Sequence, residues 1–310
     1  MTGNPMSLLI VIPNRNTQAL QEKLSEALPN EVIEVWPDIK EPEQVEFVLA
    51  WLPPEGVWQS LPNVKGISSF GAGVDGLLSA ALPDVPIARI VDPNLAFDMG
   101  QYILGHILAW KLRLLQYRQQ QNERRWYPKR AHRAINVGIL GYGQLGQEAA
   151  RQLTLNGFAV SAWSRNEKQA EGINFYYGET GLYQMAEQCD FLVCLLPLTD
   201  QTTGILNQRL FSAMPNHSVL INVGRGKHLV EADLLEALHT QQIAHAILDV
   251  FHTEPLPEEH PFWQQNNLTI TPHVSALTDI NTVVKQIAHN YMQVKNSEPM
   301  CHCIDAKKGY

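Results

Sequence analysis

The sequence predicts an α/β protein with two parallel-sheet domains, and three observations support this fold class. The chain has 310 residues, of which 45% are hydrophobic, and this is enough to bury two cores. Short apolar runs of strand length alternate with helical segments along the chain. A Gly-rich turn, Gly141 to Gly146, lies between one such run and a helix.

The first hundred residues contain five apolar runs that we expect to be strands. A helix is predicted from Thr17 to Leu28, where Pro29 ends it. Because strands that alternate with helical segments form parallel sheets, these residues predict one α/β unit. The expected strands are Leu8 to Ile12, Val32 to Val35, Val45 to Trp51, Val64 to Ser69 and Ile87 to Val91.

A long helix is predicted from about Met99 to Gln121. Asp98 precedes it and is a suitable N-cap, because its carboxylate can accept a hydrogen bond from the first turn. Apolar residues recur at helical spacing and mark one face, at Ile103, Ile107, Leu108, Leu112 and Leu115. This helix leads into a second α/β unit.

The second unit repeats the alternation of strands and helices. Helices are predicted from Gln144 to Asn156 and from Asp279 to Lys295. The predicted strands are Ile135 to Leu140, one that begins at Phe158, Asp190 to Leu195, Ser218 to Val223, Ala244 to Val250 and Leu268 to Thr271.

The Gly-rich turn reads Gly141-Tyr142-Gly143-Gln144-Leu145-Gly146 and matches the pattern G-x-G-x-x-G. Gly141 would allow a tight turn, Gly143 a close approach of the backbone to a pyrophosphate, and Gly146 packing of helix on strand. The six residues alone are equally compatible with an ordinary strand-to-helix turn. With both flanking elements present, they predict a Rossmann-like dinucleotide site in which Gln144 and Leu145 begin the helix facing the phosphates.

Composition argues against several classes of function. The formal net charge of −8 argues against general nucleic-acid binding. No apolar run approaches the roughly 20 residues of a membrane span, so no membrane partner is expected. Four cysteines make a poor disulfide framework for this length, which predicts a reducing, cytoplasmic compartment. Cys301-His302-Cys303 has no second ligand pair at zinc-site spacing, so no metal is predicted.

Three polar residues follow predicted strands of the second unit, and we expect them to face the dinucleotide site. Arg225 lies between two glycines and could bind a carboxylate through two parallel hydrogen bonds. Glu254 could stabilise the imidazolium form of His273. Taken singly, Arg225 is equally compatible with a capping or surface role. A glutamate before a proline is usually a loop residue, and a single histidine is normally structural. Their convergence on a dinucleotide fold favours catalysis.

At these residues the chain resembles the D-2-hydroxyacid dehydrogenase family, and the likeness runs over nearly the whole sequence. It is most similar to the glyoxylate/hydroxypyruvate reductase A branch. The motifs that carry this are WSR at 163 to 165, LPLT at 196 to 199, DVFHTEPLP at 249 to 257, ITPHVSA at 270 to 276 and the terminal KKGY.

The resemblance implies roles for individual residues. Arg225 would bind the substrate carboxylate and carbonyl, His273 would donate the proton, and Glu254 would be its partner. Backbone groups of Ala72 and Gly73 would also hold the carboxylate. The cofactor would contact Leu196, Pro197, Val223 and Asp249.

The resemblance also implies domain boundaries and an assembly. The substrate (catalytic) domain would be discontinuous, with residues 1–97 completed by 276–310 and its final helix. Residues 98–275 would form the dinucleotide-binding domain. The chain would form a homodimer, with the long helix after Asp98 serving as both hinge and interface.

The preferred nicotinamide cofactor follows from the end of the second strand. An NAD-preferring site normally has an acidic residue about 20 positions after the glycines, where it accepts from the ribose 2′-hydroxyl. Here Ser164 and Arg165 occupy that region and could bind a 2′-phosphate, so NADPH is predicted over NADH. Glu167 fits this less well, and Lys168 is the basic residue that could compensate.

The predicted reaction is reduction of small 2-oxo acids, glyoxylate to glycolate and hydroxypyruvate to D-glycerate. Trp51 and Leu52 could cap a small substrate pocket, and Trp126 could reach in from a partner subunit; both tryptophans are equally plausible as core or interface residues. Dehydrogenases of D-lactate or phosphoglycerate type are alternatives, although no extra basic residues lie near Ala72 in sequence. A non-catalytic NAD(P)-sensing regulator is a further alternative.

Overall fold

The computed structural model describes residues 6–13, 15–78 and 82–305, so the KKGY motif at 307 to 310 lies outside the described residues. The chain divides into two compact units, Met1–Pro93 with Thr278–Tyr310, and Asn94–Leu277. Each unit contains one parallel sheet with helices, which confirms the predicted fold class.

The strands of the described chain are β1 (Ser7–Val11), β2 (Val32–Val35), β3 (Val45–Ala50), β4 (Gly66–Ser69), β5 (Ile87–Ala88), β6 (Asn136–Leu140), β7 (Ala159–Ser164), β8 (Asn174–Tyr177), β9 (Phe191–Cys194), β10 (Val219–Asn222), β11 (His245–Leu248) and β12 (Leu268–Ile270). The helices are α1 (Gln18–Ala27), α2 (Asp75–Leu78), α3 (Pro93–Lys111), α4 (Leu114–Asn122), α5 (Gln144–Leu155), α6 (Gly178–Ala186), α7 (Gln208–Ala213), α8 (Glu231–His239) and α9 (Ile280–Lys295). The predicted strands agree within two residues at each end, except that β5 ends at Ala88 and not at Val91.

The first unit contains a five-stranded parallel sheet in the order β2-β1-β3-β4-β5. Its core is completed by α9, which begins after Asp279, whose carboxylate accepts from the Asn281 N–H at 2.9 Å. Tyr291 of this helix is fully buried and meets the Phe47 ring edge to face, with 5.9 Å between ring centroids. Its hydroxyl lies 2.6 Å from a carboxylate oxygen of Glu31. The sheet and the C-terminal helix therefore share one apolar core.

The second unit contains a seven-stranded parallel sheet in the order β12-β11-β10-β9-β6-β7-β8. The chain starts at β6, builds outward to β8, and returns to β9 on the other side of β6, so the strand order reverses between β6 and β9. Open α/β sheets bind ligands at such a reversal, outside the carboxyl ends of the strands. The sequence prediction missed β8, a strand of four residues at the edge of the sheet whose side chains are exposed or only partly buried.

The predicted helix after Asp98 was wrong in two respects. Helix α3 begins at Pro93, whose missing N–H and fixed φ suit the first turn, and Asp98 lies exposed inside the helix. The helix also stops at Lys111, because Arg113 adopts a left-handed conformation with φ +60° before α4 begins. Leu112 and Leu115 are consequently exposed, and do not continue the buried face formed by Ile103 and Ile107.

No helix in the described part of the chain is both long enough and apolar enough to cross a membrane.

Candidate active site

The Gly-rich turn follows β6 at the strand-order reversal, and each of its three glycines has a distinct surrounding. Gly141 has φ +100°, and a Cβ there would lie 2.9 Å from the Leu195 carbonyl oxygen. A Cβ at Gly146 would lie only 2.1 Å from the Gly141 carbonyl oxygen, so α5 packs directly on the turn. A Cβ at Gly143 would meet no atom within 4 Å. The turn is therefore tight on its protein side and open at Gly143.

Helix α5 begins immediately after Gly143 without a side-chain cap and without an acidic residue in its first turn. The unpaired N–H groups of a helix N-terminus carry partial positive charge and bind phosphates. An open glycine followed by an uncapped helix is what a pyrophosphate requires. These residues fit the predicted dinucleotide, with Gln144 and Leu145 in the first turn.

The end of β7 carries the residues predicted to distinguish the two nicotinamide cofactors. The buried Ser164 hydroxyl donates to the Asn166 carbonyl at 2.6 Å. Arg165 is exposed and donates to the side-chain oxygen of Gln201. The Lys168 ammonium donates to the Tyr142 carbonyl at 3.3 Å and so reaches back to the Gly-rich turn. The segment after β7 therefore carries two cationic side chains, those of Arg165 and Lys168.

Arg225 follows β10 and lies between two glycines, at positions where a side chain would collide with other atoms. A Cβ at Gly226 would lie 2.0 Å from the Phe251 carbonyl, and one at Gly224 would lie 2.9 Å from Nδ1 of His228. The fully buried His228 accepts from the Arg225 N–H at 3.0 Å through Nδ1. Its Nε2 therefore carries the proton and donates to the Pro197 carbonyl at 3.3 Å. This buried imidazole joins the Arg225 backbone to the loop after β9.

His273 and Glu254 form a hydrogen-bonded pair. The Nδ1 atom of His273 lies 2.7 Å from Oε2 of Glu254, and the other carboxylate oxygen accepts from the Phe251 N–H at 2.9 Å. Within the described residues, His273 Nε2 has no recorded hydrogen-bond partner. The imidazole is thus oriented through one nitrogen and presents the other.

The charges around Glu254 bring all three predicted catalytic residues into one electrostatic group. Burial by itself raises the pKa of Glu254, but hydrogen bonds from His273 and the Phe251 N–H, with the charges of His273 and Arg225, lower it below its ordinary value. Glu254 is therefore a carboxylate near neutral pH.

The remaining predicted cofactor residues lie at the same edge of the sheet. Leu196 and Pro197 follow β9, Val223 follows β10, and the fully buried Asp249 follows β11. The Asp249 carboxylate accepts from the N–H groups of Val274 and Ser275, each at 2.9 Å. Direct contact of these residues with a cofactor stays a prediction.

The residues predicted to hold the substrate in the first unit lie at the carboxyl ends of β3 and β4. Ser69 shapes the turn there, because its hydroxyl accepts from the Gly71 N–H at 3.2 Å and donates to the Gly73 carbonyl at 2.9 Å. The Trp51 ring packs against Gly71, where a Cβ would lie 2.3 Å from the ring. The substrate contacts of Trp51, Ala72 and Gly73 stay predictions.

Sequence reasoning missed two side chains that support this edge, Tyr102 and His228. Tyr102 lies on α3, and its hydroxyl is 2.6 Å from that of Thr271, 169 positions away. No local pattern signals such a pair. For His228 the signal was present, since a histidine three residues after the Gly-flanked Arg225 can fold back on it.

Comparison with known proteins agrees with this geometry. The family model described as D-isomer specific 2-hydroxyacid dehydrogenase, NAD binding domain, matches residues 104–275. The chain is 37% identical to the glyoxylate/hydroxypyruvate reductase A of Serratia proteamaculans, over 98% of this chain and 100% of that protein. The same-named protein of Yersinia enterocolitica is 35% identical over 98% of this chain and 100% of its own length.

Solved structures show the same likeness. A D-isomer specific 2-hydroxyacid dehydrogenase from Xanthobacter autotrophicus, in complex with NADPH and MES, is 34% identical with a TM-score of 0.93, covering 99% of this chain and 100% of that one. An NADPH-dependent glyoxylate/hydroxypyruvate reductase from Sinorhizobium meliloti, in complex with NADP and sulfate, is 32% identical with a TM-score of 0.92, covering 98% and 100%.

Because Gly143 and Gly146 have different surroundings, we expect a substitution at Gly143 to weaken cofactor binding and one at Gly146 to lower stability. Gly143→Ala should leave the free energy of unfolding unchanged but weaken NADPH binding about tenfold or more, a loss of roughly 1.4 kcal/mol, because the methyl group occupies the phosphate approach. Gly146→Ala should lower the free energy of unfolding by about 1–3 kcal/mol through overpacking. Fluorescence titration and urea denaturation measure the two quantities. Wild-type NADPH affinity in Gly143→Ala would contradict the assigned phosphate site.

Proposed function

This chain belongs to the D-isomer specific 2-hydroxyacid dehydrogenase family, and from that premise we propose that it reduces glyoxylate to glycolate and hydroxypyruvate to D-glycerate with NADPH. Enzymatic activity and use of a nicotinamide dinucleotide follow from family membership. The observation that carries the finer proposal is the Glu254–His273 pair, at the same sheet edge as the Gly-rich turn and Arg225.

His273 is the proposed general acid. When bound, the nicotinamide supplies a hydride to the 2-oxo carbon of the substrate. His273 holds a proton on Nε2 and donates it to the substrate oxygen, while Glu254 orients the ring through Nδ1 and stabilises the imidazolium. The geometry supports this role because the ring nitrogen opposite Glu254 has no recorded hydrogen-bond partner in the described chain.

Arg225 is the proposed carboxylate-binding residue. Its planar guanidinium can pair with a carboxylate through two parallel hydrogen bonds and can stabilise negative charge that develops on the neighbouring oxygen. The two glycines beside it and the His228 bond to its N–H restrain its backbone. A 2-oxo acid offers both groups that such an arginine recognises.

The proposed roles predict distinct kinetic effects. His273→Ala should lower kcat for glyoxylate about 10²- to 10⁴-fold, because general acid catalysis contributes on that order. Arg225→Ala should chiefly raise the KM for the oxo acid. NADPH absorbance with glyoxylate, hydroxypyruvate and pyruvate gives these values, and His239→Ala, which alters an exposed histidine on α8, is the control.

The same assay separates the alternatives. Wild-type turnover in His273→Ala would remove His273 from the mechanism. Preference for pyruvate would favour a D-lactate type enzyme, and no oxidation of NADPH with any 2-oxo acid would favour a cofactor-sensing regulator. A cytoplasmic location and the absence of nucleic-acid partners, which the composition predicts, stay predictions.

NADPH is the proposed cofactor because cations and a hydroxyl group lie at the end of β7, where an NAD site has a carboxylate. Arg165 and Lys168 can neutralise a 2′-phosphate, and Ser164 can donate to it after turning from the Asn166 carbonyl. The NADPH and NADP complexes of the Xanthobacter and Sinorhizobium proteins are consistent with this.

Removing both cations should reverse the cofactor preference. Arg165→Ala combined with Lys168→Ala should raise the KM for NADPH about 10- to 100-fold, which corresponds to about 1.4–2.7 kcal/mol for two exposed contacts to the 2′-phosphate. The KM for NADH should change little. Arg209→Ala, which removes an exposed arginine paired with Glu179, is the control. Faster turnover of the wild-type protein with NADH than with NADPH would refute the proposed preference.

A homodimer is the proposed assembly, because apolar side chains are exposed around α4. Trp126 is 97% exposed and Leu114 is 51% exposed, and large exposed apolar patches mark interaction surfaces. Within the second unit, the same segment also exposes Leu112, Leu115 and Tyr127.

A charge placed in this exposed apolar segment should separate the subunits. Wild-type protein should sediment with the mass of two chains, and Leu115→Glu should sediment as one, because burying an unpaired carboxylate costs several kcal/mol. Leu155→Glu changes a leucine that is 71% exposed on α5 and should remain dimeric. A monomeric wild-type protein at micromolar concentration would contradict the proposed assembly.

A further inference from the structure

The backbone at His273 has an uncommon conformation. Its φ is +53°, in the left-handed region, where a residue other than glycine costs about 1–3 kcal/mol unless the surroundings hold it. The His273 N–H donates to the Thr271 carbonyl at 3.0 Å, which closes a tight turn around Pro272. The direction of the imidazole therefore depends on what fixes both ends of this turn.

Asp249 fixes both ends. Its carboxylate accepts from the Val274 and Ser275 N–H groups after His273. It also accepts from the Thr271 hydroxyl before His273. Asp249 is fully buried, so these protein donors replace water around the carboxylate. A small rotation of the Asp249 side chain would displace the residues on both sides of His273.

Tyr102 determines the direction of the Thr271 hydroxyl. The two hydroxyl oxygens are 2.6 Å apart, and because the Thr271 proton points to Asp249, the Thr271 oxygen accepts from Tyr102. Burial, with a further contribution from the Asp249 charge and against the effect of the Thr271 hydrogen bond, raises the pKa of Tyr102 to about 12. The phenol therefore keeps its proton near neutral pH and remains a donor.

The Tyr102 ring is itself held in place on α3. The His106 ring, one turn further along the helix, packs against it with 4.4 Å between ring centroids. Burial lowers the pKa of His106, against an opposing effect of the Asp249 charge, so its imidazole is neutral near pH 7. Tyr102, the first donor in the series of hydrogen bonds that ends at Asp249, is thus held in position by helix α3.

We propose that Tyr102 and Thr271 are positioning residues that, through Asp249, hold the His273 turn in the conformation used for proton donation. Neither side chain is hydrogen-bonded to the His273 imidazole. Loss of the Tyr102 hydroxyl frees the Thr271 hydroxyl to rotate away from Asp249, and the turn then occupies conformations in which Nε2 is misdirected. The inference rests on the proposed role of His273 as the proton donor.

Steady-state kinetics with glyoxylate test the proposal. Tyr102→Phe and Thr271→Val should each lower kcat about 10- to 100-fold, the cost of a misplaced catalytic group, while the KM values for glyoxylate and NADPH stay within about twofold. Thr271→Ser, which keeps the hydroxyl, should retain most of the wild-type rate. The double variant Tyr102→Phe/Thr271→Val should be no slower than Thr271→Val, because both act through one chain of contacts.

A readout that does not depend on turnover separates this proposal from the proposed function. In protein with ¹⁵N-labelled histidine, the His273 resonances are assigned by their loss in His273→Gln. The Nδ1 proton signal bonded to Glu254 should shift or broaden in Tyr102→Phe and persist in Thr271→Ser. Tyr176→Phe, which removes a hydroxyl bonded to Gln188 on the same unit, is the matched control and should leave the signal unchanged.

The outcomes are distinguishable. If the wild-type protein reduces no 2-oxo acid, the proposed function fails. The spectra still report whether Tyr102 and Thr271 hold the His273 turn in place. Wild-type kcat together with an unchanged His273 signal in Tyr102→Phe would overturn the positioning role. A Thr271→Ser variant as slow as Thr271→Val, with both folded by thermal melting, would also overturn it.

Discussion

Parallel pairing of the seven strands in the second unit is the constraint on which its chemistry depends. In a parallel sheet all strands end at one edge, so the loops after β6, β7, β9, β10, β11 and β12 lie along the same edge whatever their separation in sequence. Gly141, Arg225 and His273 reach one edge for this reason. The same constraint accounts for the dense backbone packing there, since Gly141 and Gly226 each lie against the backbone of another loop.

Local features of this arrangement were predictable from the sequence, and contacts between distant segments were not. The Gly-rich turn is specified within six residues, and buried parallel strands are apolar throughout, so both were identified. The predicted start of α3 was wrong. Asp98 and Pro93 are both residues that favour a helix start, and which of them begins the helix depends on packing. Strand β8 was missed because it is a short edge strand without a fully buried residue. The Tyr102–Thr271 contact joins residues that are brought together only by the completed fold.

The charge distribution explains how an acidic chain can bind anions. A net charge of −8 repels anionic ligands at long range. Three cationic side chains lie where anion binding is proposed, Arg165 and Lys168 at the end of β7 and Arg225 after β10. Short-range hydrogen bonds and an uncapped helix end do not depend on the whole-molecule field, and they are less affected by salt than an extended basic surface. The proposed recognition therefore depends on a few oriented groups.

The position of α9 in the chain has a consequence for synthesis on the ribosome. The core of the first unit contains Val283, Ile287 and Tyr291 together with Leu8 and Phe47, and the Tyr291 hydroxyl lies 2.9 Å from the Met6 carbonyl, 285 positions away. At roughly 5–20 residues per second, β1 emerges many seconds before the helix that covers it. The second unit, contiguous from Asn94 to Leu277, has all its strands by then. The first unit is thus completed only after the second unit has been synthesised, and the sheet face that α9 covers stays without that helix in the interval.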